Sequence, residues 1–89
     1  MKAVITVTGK DSMGIIAGVA GVCAELGANI VDISQSVLQE YFAMIMLADI
    51  DGLKVDFSEF VDAMEAYGKD RGLTIHAMHE DIFNTMHHI

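Results

Sequence analysis

The sequence predicts an α+β fold in the order βαββαβ, followed by a short C-terminal tail helix. Three observations carry this expectation. The apolar period switches back and forth between about 2 and about 3.6 residues along the chain. Glycines stand at the ends of the periodic segments, at Gly9, Gly27, Gly52 and Gly72. An 89-residue chain with no proline and no Ser/Gly linker offers no boundary between domains, so residues 1–89 are read as one domain.

Residues 2–8 are β-rich, with Val4, Ile5 and Val7, and end at Gly9, which defines strand one. From Gly14 the pattern becomes helical: Ile15, Ile16, Val19, Val22, Cys23 and Leu26 share a face, Asp11 or Ser12 supplies a cap, and Gly27 stops the helix. Residues 29–39 and 41–50 are rich in β-branched, apolar and aromatic side chains around Gln39-Glu40 and predict an antiparallel hairpin. Asp56 with Glu59 three residues on has the form of a capping box, and Phe57, Phe60, Val61, Met64, Tyr67 and Gly68 trace the buried face of a second helix ending near Gly72. Residues 73–78, Leu73 to Met78, read as strand four. Asp81 caps a tail helix carrying Ile82, Phe83 and Met86.

This order matches the split βαβ, ferredoxin-like arrangement: a four-stranded antiparallel sheet with both helices on one face. Strand three, Tyr41 to Ala48, is apolar at nearly every position, whereas helices on one face cover only alternate residues. A second subunit, the tail helix, or both must cover the rest, so a homodimer or a higher homo-oligomer is expected.

Composition narrows the function. Thirteen Asp and Glu against five Lys and Arg give a formal charge of −8, which repels phosphodiesters and anionic lipid, so no direct nucleic-acid or membrane binding is expected. A single cysteine cannot form an internal disulfide, and the short alternating start is too brief for a signal peptide, both of which favour the cytoplasm.

The segment from Gly9 to Ile15, Gly-Lys-Asp-Ser-Met-Gly-Ile, placed between strand one and helix one, resembles the first loop of ACT domains. Leu26-Gly27-Ala28-Asn29-Ile30, leading into strand two, strengthens the likeness. Asp32-Ile33-Ser34-Gln35 and Glu40-Tyr41-Phe42 are similar to a small family of stand-alone bacterial and archaeal ACT proteins of the UPF0237 type, over essentially the whole chain. The resemblance implies a regulatory module, not an enzyme, that binds a small molecule such as an amino acid and acts in trans as a homodimer. The alternative, suggested by glycine-cleavage regulatory ACT proteins, is a ligand-independent interaction partner of a metabolic enzyme or transcriptional regulator.

In amino-acid-binding ACT domains the ligand lies where this loop meets the start of strand two of a neighbouring subunit. Carried over by position, the site residues are Gly9, Asp11, Ser12, Met13, Gly14 and Ile15 from the loop and Asn29 and Ile30 from the strand. Met13 stands where many ACT domains have proline, and Gly9 offers no side chain where some amino-acid sensors use one. The chemistry suits a zwitterion: unpaired N–H groups at the helix start favour a carboxylate, Asp11 receives an ammonium, and the Asn29 amide both donates and accepts. Each residue also has a purely structural reading. Asp11 caps the helix, Gly14 permits tight helix–sheet packing, Asn29 adopts a left-handed turn after Gly27, and Met13 packs over a neighbouring subunit.

Other chemistry is poorly supported. His76 and His79 fall on opposite faces of a strand, and with His87 and His88 they do not complete a metal site. Cys23 lies on the apolar face of helix one and reads as an inert buried thiol. Ser34 and Ser36 have no obvious triad partner, and Asp49, Asp51, Asp56, Asp62 and Asp70 lack the spacing of a calcium loop. Met44, Met46, Met64 and Met78 read as core filling. No cofactor is expected.

Overall fold

The structure is a computed structural model that describes residues 1–10 and 14–86. Its elements run β1 (Lys2–Gly9), α1 (Ile15–Leu26), β2 (Asn29–Leu38), β3 (Tyr41–Asp49), α2 (Phe57–Arg71), β4 (Thr74–His79) and α3 (Glu80–Met86). The strands form one antiparallel sheet in the order β2-β3-β1-β4, leaving β2 and β4 as edges. This is the expected ferredoxin-like fold.

Alternation along the strands builds the core. Ala3, Ile5 and Val7 of β1, Phe42, Met44, Met46 and Ala48 of β3, and Ile75 and Ala77 of β4 face the helices. Against them pack Ile15, Val19 and Cys23 of α1, and Phe60 and Met64 of α2. Methionines at 44, 46 and 64 fill this space almost without exposure, as expected; Met78 is half-buried on the other face. The two helices touch where α1 narrows: a Cβ at Gly18 would overlap the Tyr67 hydroxyl.

Both long helices end in the same way. Gly27 and Gly72 take left-handed conformations, with φ of 87° and 71°. The next amides close Schellman motifs, Ala28 N to Cys23 O at 2.8 Å and Leu73 N to Gly68 O at 2.8 Å. That motif shifts strand four by one residue from the expectation, because Leu73 is spent on closing α2 and the strand starts at Thr74.

The helix starts also differ from expectation. Asp56 is the N-cap of α2, but its side chain makes no capping hydrogen bond, so the capping box with Glu59 does not form. The N-cap of α1 is Gly14; Asp11 and Ser12, assigned a capping role by sequence, lie outside the described residues. α3 begins at Glu80, one residue before the expected cap Asp81.

The second face of the sheet is covered in part. α3 packs against β1 and β4, and Val4, which points away from α1 and α2, is 4% exposed. Toward the β2–β3 turn that face is open, with Leu38, Tyr41 and Ile45 exposed. Among the described residues no helix is long and apolar enough to cross a membrane.

Candidate functional site

The eight residues assigned by sequence fall into two groups that one chain keeps apart. Gly9 pairs with Phe42, whereas Asn29 pairs with Asp49. Seven residues of β3 therefore separate them, roughly 23 Å at about 3.3 Å per residue. The loop half lies at one end of the sheet and the strand half at the other.

At the loop end, Gly14 has φ 73° and is exposed, and nothing lies within 4 Å of a Cβ built there. Helix–sheet packing is thus not what requires glycine at this position; the left-handed backbone is. Ile15 is buried in the core and anchors the start of α1. The first turn of α1 carries no acidic side chain to complement its N–H groups. Gly9 has a packing role, since a Cβ there would lie 2.5 Å from Leu73 Cδ2. Asp11, Ser12 and Met13 lie outside the described residues.

At the strand end, Asn29 is exposed and Ile30 is partly buried against the core. Asn29 is extended, not left-handed, because Gln39 is the positive-φ residue among the described non-glycines. Its turn-forming reading is therefore set aside. A register shift between Ile30 and Asp32 makes a bulge that turns Val31 outward to 51% exposure. Beside the loop half, Ile16 on the first turn of α1 is also exposed.

The structure brings together a further set of residues that sequence reasoning did not assign. On the open face, cross-strand register sets Ser36 beside Ala43, Ala43 beside Thr8, and Thr8 beside Thr74. The short side chains in this row form a floor, and the longer Leu38, Tyr41 and Lys10 rise beside it around a concavity of about 640 Å³. Lys10 Nζ stands 5.6 Å from the centroid of the Tyr41 ring.

Cys23 is fully buried, and desolvation pushes its thiol up to about 11. His79 stacks on Phe57 with ring centroids 3.9 Å apart, while His76, on the opposite face, lies 4.0 Å from Glu65. Among the described residues no three His, Cys, Asp or Glu side chains are grouped to hold a metal ion.

Comparison with known proteins agrees with the fold. A family model described as ACT domain matches residues 2–78. A UPF0237 protein of Clostridium acetobutylicum is 48% identical over 89 residues, covering 100% of both chains. One from Methanocaldococcus jannaschii is 47% identical over 88 residues, covering 99% of this chain and 98% of its own. The solved ACT domain protein from Streptococcus pneumoniae superimposes with a TM-score of 0.81 at 49% identity, over 93% of each chain.

Proposed function

Because the chain belongs to the ACT-domain family, and within it to the UPF0237 proteins of bacteria and archaea, we propose that it is a regulatory module that binds an amino acid between two copies of itself and acts in trans. The observation that carries this reading is the separation of the two half-sites. Gly9 and Asn29 sit at opposite ends of one sheet, and an exposed apolar side chain follows each half, Ile16 on the first turn of α1 and Val31 on β2. β2, which carries Asn29, is an edge strand with unpaired backbone groups. An isologous pair would bring the loop of each copy to the strand of the other and complete two equivalent sites.

The chemistry at each half is complementary. The exposed left-handed Gly14 lets a ligand approach the first N–H groups of α1, which attract a carboxylate. Asp11 supplies the charge for an ammonium, and Asn29 from the other copy hydrogen-bonds across the ligand. Closure of the interface over a ligand couples occupancy to dimer geometry, which is how such a module reports to a partner.

A thermal-shift panel of the amino acids, run beside sedimentation at micromolar concentration, tests the proposal. The expected result is a dimer whose midpoint rises with one or a few related amino acids. A flat panel would favour a ligand-independent interaction protein, and a monomer would remove the interface site altogether.

A further inference from the structure

We propose that the open face of the sheet carries a second binding site, for a small organic monocarboxylate with an apolar body, between Lys10 and Tyr41. Three features of the concavity point to that chemistry. Its volume, about 640 Å³, lies within the roughly 300–1,000 Å³ of small-molecule sites. It opens on the face away from α1 and α2, toward the β2–β3 turn, and reaches around the sheet end to Gly9, Phe42 and Gly72, whereas α3 lies against β1 and β4 where Val4 is buried.

Lys10 contributes an ammonium and Thr8, Ser36, Thr74 and Tyr41 contribute hydroxyls, and among the described residues no carboxylate lines the space. In a chain with thirteen acidic and five basic residues, a concavity whose described lining carries a cation attracts an anion. Among the described residues no carboxylate is paired with Lys10. Its position over Tyr41, 5.6 Å from the ring centroid, holds the ammonium at the rim by a cation–π contact.

The apolar lining sets the other half of the ligand. Tyr41, Leu38 and Ala43 offer a ring, a branched side chain and a flat floor, suited to an aryl or short alkyl group lying on the sheet. A ligand ammonium placed beside the bound carboxylate would meet the like charge of Lys10. The concavity shares Gly9 with the loop half of the site proposed between subunits and differs from it in its Lys10 cation and apolar floor.

The test is a ¹H–¹⁵N NMR titration of the full chain with phenylacetate and hexanoate, with phenylacetamide as the uncharged control. Saturable shifts at Thr8, Lys10, Ser36, Tyr41 and Thr74 are expected for the two anions and not for the amide. Lys10→Gln should weaken phenylacetate binding by about tenfold or more, as for loss of a charge-assisted bond. Lys10→Arg should retain it, and Tyr41→Ala should weaken it without unfolding, as judged by the dispersion of the remaining peaks.

Asn29→Ala, which removes a residue of the intersubunit site, should leave phenylacetate binding unchanged, so the two proposals fail separately. Equal response to the acid and the amide, or equal affinity in Lys10→Gln, would overturn the inference. It would also be overturned if intermolecular NOEs placed Tyr41 and Ile45 against a second copy and the anions caused no shift.

Discussion

Leu73 occupies the direction in which any side chain at Gly9 would project, with its Cδ2 2.5 Å from the position of a Cβ there. The end of β1 and the exit of α2 are therefore fitted to each other. Gly9→Ala should destabilise the protein by about 1–3 kcal/mol through overpacking, and Leu73→Ala should recover part of that loss in the double variant. Chemical denaturation of the four proteins measures the coupling; strictly additive effects would show that the contact does not constrain Gly9.

Gly14 has open space around it and a backbone that disfavours other residues. Gly14→Ala should cost about 1–2 kcal/mol, the strain of a left-handed conformation, and Gly14→Asn less. If alanine is tolerated at no cost by thermal denaturation, the helix start relaxes and this strain is absent.

Cys23 gives a pH dependence with a definite sign. Burial raises its thiol from 9.0 to about 11, so the folded state holds the proton more tightly than the unfolded chain does. The associated stability is complete below pH 9 and is lost as pH rises from 9 to 11, by an amount on the order of 2 kcal/mol. Denaturation of the parent and of Cys23→Ala across that interval isolates the effect: the parent should lose more stability than the variant. The native thiol should also resist alkylation at pH 8.

α3 explains why Val4 is buried on the face that α1 and α2 do not reach. Truncation before Ile82 should lower stability by about 1–2 kcal/mol, or the melting midpoint by roughly 5–15 °C. An unchanged midpoint would show that the tail is dispensable to the sheet.

Periodicity and glycine placement were enough to read the order of elements, because each apolar stripe matches one face of one element. Strand one, helix one and the Gln39-Glu40 turn fall within a residue of expectation. Local pattern misled where a residue serves two neighbours: Leu73 looks like a strand residue but closes the Schellman motif of α2. Asp56 and Glu59 have capping-box spacing, yet spacing does not determine a side-chain rotamer. The concavity by Lys10 was not legible because Ser36, Ala43, Thr8 and Thr74 become neighbours only through the register of four strands. The proposed intersubunit site was legible as residue types, but not as a place, since one chain keeps Gly9 and Asn29 at opposite ends of the sheet.

The measurement that bears most directly on the central proposal is calorimetric titration of a mixture of two inactive variants with the amino acid that gives the largest midpoint rise. Asp11→Ala removes a loop residue and Asn29→Ala a strand residue, so each homodimer should bind at least tenfold more weakly than the parent. After exchange of subunits in an equimolar mixture, each mixed dimer has one fully intact site, formed by the unaltered loop of one copy and the unaltered strand of the other. Random exchange then restores about a quarter of the parent's sites at parental affinity. A mixture that binds no better than its two components, or either variant alone binding as the parent does, would contradict a site shared between subunits.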